Sequence, residues 1–289
     1  MKQLTIISGK GGTGKTTIAA AYASIAKNAV LADCDVDAAD LHLILDPEIE
    51  ETVEFSGMKL AAKDDEKCVE CGLCKEHCRF GAIDEEFDII NERCEGCGVC
   101  EYVCPENAIE LVERRSGVAY KSMTRFGPMS HAVLNTAEEA SGKLVNLVRN
   151  HARAMAEAND KNLIIIDGPP GLGCPVISAI TGVDLVLIVT EPTLSGIHDL
   201  KRILGVALHF NIPSVVCVNK VDINPGNVKK IEAYCKKNKL PVVGKLPYDN
   251  VATAAMIAGK TIIEYSSGTL SNKIRESWEN IKKILKANS

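Results

Sequence analysis

"GKGGTGKTT", residues 9–17, follows the short apolar run "LTIIS", residues 4–8. It matches G-x-x-x-x-G-K-S/T, with Gly9, Gly14, Lys15 and Thr16 at the fixed places. In such a loop the backbone N–H groups of Gly11, Gly12, Thr13 and Gly14, and the first turn of the next helix with Thr17, face phosphate oxygens. Lys15 then reaches the β- and γ-phosphates, and the Thr16 hydroxyl ligates Mg²⁺. The confirming context is a strand before and a helix after. Residues 3–7 read as a buried strand and 16–27 as a helix. A second lysine, Lys10, stands five residues before the first and is not needed by the basic motif.

Working outward, short and nearly continuous apolar runs recur at 29–33, "NLIIID" (162–167), "DLVLIVT" (184–190), "SVVCVN" (214–219) and "LPVVGKL" (240–246). Such runs fit strands covered on both faces of a parallel sheet. Helix-length segments at 141–158, 195–210 and 226–238 separate them. The alternation predicts an α/β fold: a mostly parallel sheet with helices on both faces. It stops near residue 50 and resumes near 112, around charged stretches such as "AAKDDEK" (61–67). The expected organisation is a discontinuous domain, 1–58 and 113–289, with a small α+β domain inserted at 59–112. "SGVAYKSMTRFGPM" (116–129) reads as a strand and turn leading back, and its "TRFGP" turn is a candidate contact with the insert.

Twelve cysteines are many for a chain with no signal-peptide pattern at its first residues. Eight fall in two runs of identical spacing, C-x2-C-x2-C-x3-C: Cys68, Cys71, Cys74, Cys78, and Cys94, Cys97, Cys100, Cys104. This is the pattern of bacterial two-cluster ferredoxins, in which the fourth cysteine of each run ligates the other cluster. It assigns one 4Fe–4S cluster to Cys68, Cys71, Cys74 and Cys104, and the other to Cys94, Cys97, Cys100 and Cys78. Zinc also takes C-x2-C pairs; two tandem runs of four favour iron–sulfur. The first run is followed by Arg79 where the second has Pro105.

With its extra Lys10, the loop resembles the deviant Walker A motif of the ATPases that include MinD, ParA, the nitrogenase iron protein and the Mrp-type carriers. The resemblance implies that Lys10 crosses a homodimer interface and touches the phosphates of the other subunit, countering charge on the transferring phosphoryl group. "LADCDVDAAD" (31–40) resembles the first switch segment. Asp35 would polarise the attacking water and Asp33 would sit near the metal, with Asp37 and Asp40 less defined. "LIIIDGPPG" (163–171) resembles a Walker B strand and second switch, with Asp167 holding Mg²⁺ through water. Asn219 of "VNKVD" and Pro247 of "LPYD" resemble residues that contact adenine. Together with the cysteine runs, the chain resembles MinD-superfamily ATPases containing an inserted ferredoxin domain.

That resemblance implies ATP/ADP, Mg²⁺ and two 4Fe–4S clusters as cofactors, and a partner protein that accepts electrons or a cluster. It leaves open a homodimer or a pairing with a paralogous ATPase. Three functions follow. ATP-gated electron transfer is favoured, because every ligand place is filled and no C-x-x-C pair marks a labile site near the dimer axis. A cluster scaffold or carrier, and a spatial organiser with redox-sensing clusters, are the alternatives. The net charge of −5 and only 4% aromatic residues speak against a nucleic-acid partner. No apolar run approaches the roughly 18 residues of a spanning helix, and a cytoplasmic protein is expected. Cys174, seven residues beyond Asp167, reads as a buried structural thiol rather than a cluster ligand shared across a dimer axis, and Cys34, Cys217 and Cys235 read as core or surface thiols. The last segment places Ile274, Trp278, Ile281 and Leu285 on one face, for packing on the sheet or, less readily, for a membrane surface.

Overall fold

The run before the glycine-rich loop lies inside β1 (Lys2–Ser8), buried from its second residue to its last. Backbone burial of this kind demands hydrogen-bonded neighbours on both sides, and β1 has them in β6 (Leu163–Pro170) and β7 (Leu185–Thr190), both parallel to it. β2 (Ala29–Asp33) pairs with β6 and with β5 (Gly127–Leu134), again parallel. On the other side β7 pairs with β8 (Ser214–Val218), and β8 with β9 (Val242–Lys245). The sheet runs β5-β2-β6-β1-β7-β8-β9. Beyond β5 it continues through β4 (Ile109–Thr124) to β3 (Glu48–Lys63) at the edge. The computed structural model describes residues 1–135 and 141–287, which divide into two compact units. The first comprises Met1–Val53, Ala119–Val133 and the described chain from Ser141; the second comprises Glu54–Val118 with residues 134 and 135.

In the first unit, α1 (Lys15–Ile25) follows the glycine-rich loop, and Ile18 to Tyr22 are all nearly inaccessible. The alanines at 19–21 and 23 explain how a helix can be covered almost all round. Tyr22 spans to α11 (Thr269–Ala287): its hydroxyl shares a 2.7 Å hydrogen bond with Ser277, and its ring lies 5.0 Å from that of Trp278. The stripe Leu270, Ile274, Trp278, Ile281 and Leu285 is buried in the same core. The apolar face of the last helix is thus occupied by the sheet and α1. No helix among the described residues is long and apolar enough to cross a membrane.

α5 (Ser141–Ala158) spans the residues expected of it. It carries Arg149, buried and donating to the Ser178 and Thr181 carbonyls at 2.6 and 2.9 Å and to Gln3 Oε1 at 3.0 Å. The first two acceptors belong to α6 (Cys174–Ile180) and its end, the third to β1. The Arg125–Phe126 turn joins β4 to β5. Arg125 donates to the Ile44 and Leu45 carbonyls of α2 (Leu41–Leu45), both at 2.8 Å, and grips Glu264 of α10 (Ile262–Tyr265). These Arg125 partners all lie within the first unit, whereas the sequence suggested a contact with the insert.

The second unit repeats itself. Two five-residue helices, α3 (Leu73–His77) and α4 (Val99–Val103), each start after a glycine with φ 79° and end at an extended cysteine with φ −76°. The Ala82 N–H points to Cys78 Sγ at 3.4 Å, and the Ala108 N–H to Cys104 Sγ at 3.2 Å. Ala82–Ile83 and Ala108–Ile109 are the buried pairs behind them.

Candidate nucleotide site and thiol-lined cavities

In an open α/β sheet, ligands bind outside the carboxyl ends of the strands, where the chain turns to opposite sides. β1 meets that condition, because the chain leaves it for β2 on one side while β7 and β8 lie on the other. The glycine-rich loop begins there. Gly14 precedes α1 with φ 91°, a conformation rare for L side chains, and a Cβ on it would lie 2.6 Å from Asn219 Nδ2. Lys15 opens the helix almost buried, its ammonium 3.7 Å from Asp35 Oδ2. Burial pushes the Asp35 carboxyl up, and Lys15 pulls it back.

Asp33, the last residue of β2, and Asp167, inside β6, sit side by side in direct register. Both are buried, but their surroundings differ. Asp33 accepts from the Asp35 N–H at 3.1 Å and the Leu41 N–H at 3.2 Å, so each of its oxygens is engaged in shaping the following loop. Neither oxygen of Asp167 completes a hydrogen bond of normal geometry, although the Thr16 hydroxyl lies near enough to favour its charge. Burial pushes this carboxyl up to about 7, against the pull of the Lys15 ammonium and the Thr16 hydroxyl. A buried carboxylate with no well-placed donor calls for a cation. With the Thr16 hydroxyl beside it, Asp167 fits a Mg²⁺ site better than Asp33 does.

A cavity of ≈ 220 Å³ adjoins the loop. Its lining includes Gly12, Thr17, Asn219, Pro247 and Tyr248. This brings Asn219 and Pro247 together with the loop, as a base pocket requires. Asn219 is also structural: its Nδ2 donates to the Thr13 carbonyl at 2.9 Å.

Lys10, the additional lysine, pairs within its own chain with Glu191 Oε2 at 3.2 Å. The other oxygen of Glu191 meets Lys220, whose ammonium also donates to the Gly12 carbonyl at 3.1 Å. Glu191 and Lys220 were not singled out from the sequence. Their signal was positional, since each lies one or two residues past the end of a buried strand, on the edge where the loop sits.

In the second unit the eight cysteines divide between two cavities. Cys68, Cys71, Cys74 and Cys104 line one; Cys78, Cys94, Cys97 and Cys100 line another of nearly equal size. Among the described residues no three Cys, His, Asp or Glu side chains converge closely enough to hold a single metal ion. Four thiols around a cubane each bind a different iron, so they stand farther apart than the ligands of one ion; a lining of four thiols suits that donor set. Burial raises the thiols of Cys74 and Cys100, a cost that metal binding would reverse by deprotonating them.

The remaining cysteines differ. Cys34, Cys217 and Cys235 are buried. Burial pushes Cys217 up to about 12 and Cys235 to about 11, so they are inert packing groups. Cys174 is not the buried thiol expected: it opens α6 and is exposed.

A strand, a glycine-rich loop whose lysine enters the next helix, and an unpartnered carboxylate on the neighbouring strand define a P-loop nucleotide-binding protein. Residues 4–262 match the CobQ/CobB/MinD/ParA nucleotide binding domain, and the chain belongs to that family. An uncharacterized protein of Methanocaldococcus jannaschii is 34% identical over 286 residues, 98% of this chain and 97% of that protein. An uncharacterized ATP-binding protein of the same organism is 28% identical, covering 94% of this chain and 84% of its own length. Among solved structures, the septum site-determining protein MinD of Pyrococcus horikoshii, complexed with Mg-ADP, superposes with a TM-score of 0.61 at 18% identity, over 100% of this chain and 98% of that one.

Proposed function

We propose that the chain is a Mg²⁺-dependent ATPase in which nucleotide-driven dimer changes are coupled to two 4Fe–4S clusters, serving ATP-gated electron transfer to a protein partner. The observation that carries the cluster reading is the division of eight cysteines, four to each of two cavities of nearly equal size. Bound there, the clusters would take up and release electrons singly. The chain's own residues supply the rest. Lys15 and the loop amides bind the phosphates, and Thr16 with Asp167 holds Mg²⁺. Asp35, kept beside Lys15, orients water. Lys10 is held by Glu191 in the single chain, and in a nucleotide-sandwiched homodimer it would exchange that carboxylate for the partner's phosphates. ATP as the nucleotide is supported by the ATP-binding relative and by the Mg-ADP complex of the structural neighbour.

The carrier reading draws on one observation, the exposure of Cys71 and Cys97, which would leave one ligand of each cluster open to an acceptor. The organiser reading loses support from the burial of the α11 apolar stripe. The test is a redox titration of anaerobically purified protein followed by EPR, with and without a non-hydrolysable MgATP analogue. A nucleotide-dependent shift in potential or spectrum is expected. Two stable clusters that ignore the nucleotide would refute direct tuning. Loss of cluster to an apo-acceptor on ATP addition would favour the carrier.

A further inference from the structure

Two consecutive residues past the end of β8 grip two consecutive carbonyls of the phosphate loop. Asn219 Nδ2 donates to Thr13 O at 2.9 Å, and Lys220 Nζ donates to Gly12 O at 3.1 Å. Lys220 does so from a left-handed backbone, φ 55°, a region that costs free energy for a residue with a Cβ. Its ammonium is braced from the other side by Glu191, whose side chain is only 9% exposed. Burial by itself would raise the Glu191 carboxyl, but Lys220 and Lys10 outweigh it and hold it below the ordinary range.

A trans peptide is planar, so its C=O and N–H point in opposite directions. Fixing the Gly12 and Thr13 oxygens on the β8 side turns the N–H groups of Thr13 and Gly14 toward the opposite side of the loop. Those are amides that a phosphate cradle needs. Gly11 and Gly12 have no side chains to hold this arrangement, and a Cβ on either would meet nothing within 4 Å. The restraint therefore has to come from outside the loop.

We infer that Lys220, braced by Glu191, is a positioning residue that presets the loop amides for polyphosphate. The inference rests on the nucleotide-binding reading above. If the clamp is removed, the loop must be ordered by the ligand, and apparent affinity falls by the fraction of chains already competent. One charge-assisted hydrogen bond corresponds to about a tenfold change.

The experiment is calorimetric titration of the full chain, purified anaerobically, with MgADP and separately with Mg²⁺-tripolyphosphate, which has no base. Lys220→Ala is expected to weaken both ligands by about the same factor, near tenfold. Lys220→Arg should restore both, because the guanidinium keeps a charged donor. Fluorescence of Trp278 on heating checks that each variant folds. Loss confined to MgADP would place Lys220 at the base instead and overturn the inference, as would equal affinity in Lys220→Ala and wild type. A wild-type chain that binds neither ligand would remove the nucleotide-binding reading itself, before any variant is compared.

Discussion

Asp167→Asn should have opposite effects on the empty and the nucleotide-bound protein. In the empty chain Asp167 is buried, both its oxygens lack a well-placed donor, and Asp33 lies beside it in register. Leaving a buried acceptor unsatisfied costs about 1–3 kcal/mol, and more when it is charged. An amide of the same shape carries no charge and supplies a donor that can face Asp33. The empty variant should therefore be more stable at pH 8, by about 1–3 kcal/mol. For a unit of this size each kcal/mol moves the midpoint by roughly 2–4 °C. With ligand the sign reverses. MgADP at a hundred times its dissociation constant stabilises by about 2.7 kcal/mol, and the Mg²⁺-dependent part of that gain should vanish in the variant. The assay is thermal unfolding followed by Trp278, the one tryptophan, which is buried in the first unit and reports on it alone. An empty variant less stable than wild type, or an Mg²⁺ increment that persists, would refute the assignment of Asp167 as the unpartnered metal carboxylate.

Cysteine pairs test how the cavities are shared: Cys71→Ser with Cys104→Ser should leave about half the iron, because both line one cavity, while Cys71→Ser with Cys78→Ser should deplete both clusters. Arg149→Met leaves three acceptor groups without their donor and should cost about 2–4 kcal/mol in urea unfolding. The Arg125 guanidinium holds the Glu264 carboxyl down to about 2, so this pair stabilises fully above the ordinary glutamate range and is lost as pH falls through about 2. Glu264 is partly exposed, so Glu264→Gln should cost only about 1 kcal/mol at pH 7 and progressively less as pH falls from 4.5 toward 2, read as the difference between two pH–stability curves.

The strands that bind nothing but their neighbours were the easiest to read. β2 occupies residues 29–33 and α5 residues 141–158, the spans that apolar runs and periodicity predict. β3 and β4 escaped as 16-residue strands for a physical reason. β3 is exposed over its first half, where it carries Glu48, Glu50, Glu51 and Glu54, so it lacks both the continuous and the alternating apolar signal. In the site, residues with a fixed spacing could be placed from sequence: Lys15, Thr16 and the cysteines. The separate circumstances of Asp33 and Asp167 could not, since both are aspartates ending apolar runs. Only the backbone donors of Asp35 and Leu41 tell them apart. The Glu191–Lys220 clamp joins residues 29 apart to a loop over 200 residues away, a contact that no local pattern contains.

Whole-chain charge also needs to be taken apart along the fold. Residues 54–118 hold sixteen acidic and eight basic side chains, a balance of −8, so the other residues together carry +3 against the total of −5. The average used to argue against a nucleic-acid partner therefore describes neither unit. Charge acts through the surface that a partner meets, within a Debye length of about 10 Å at 0.1 M salt. A partner that approaches the thiol-lined cavities meets a strongly negative unit, and a basic docking face would speed its encounter in a salt-dependent way. The same negative field would disfavour adding an electron to a cluster bound at either cavity. The cation at Arg79, beside Cys78, opposes that field at one cavity, while the equivalent place at the other is the uncharged Pro105. Two cavities of equal size and equal ligand set would thus hold clusters of unequal potential, with the one that includes Cys78 the easier to reduce.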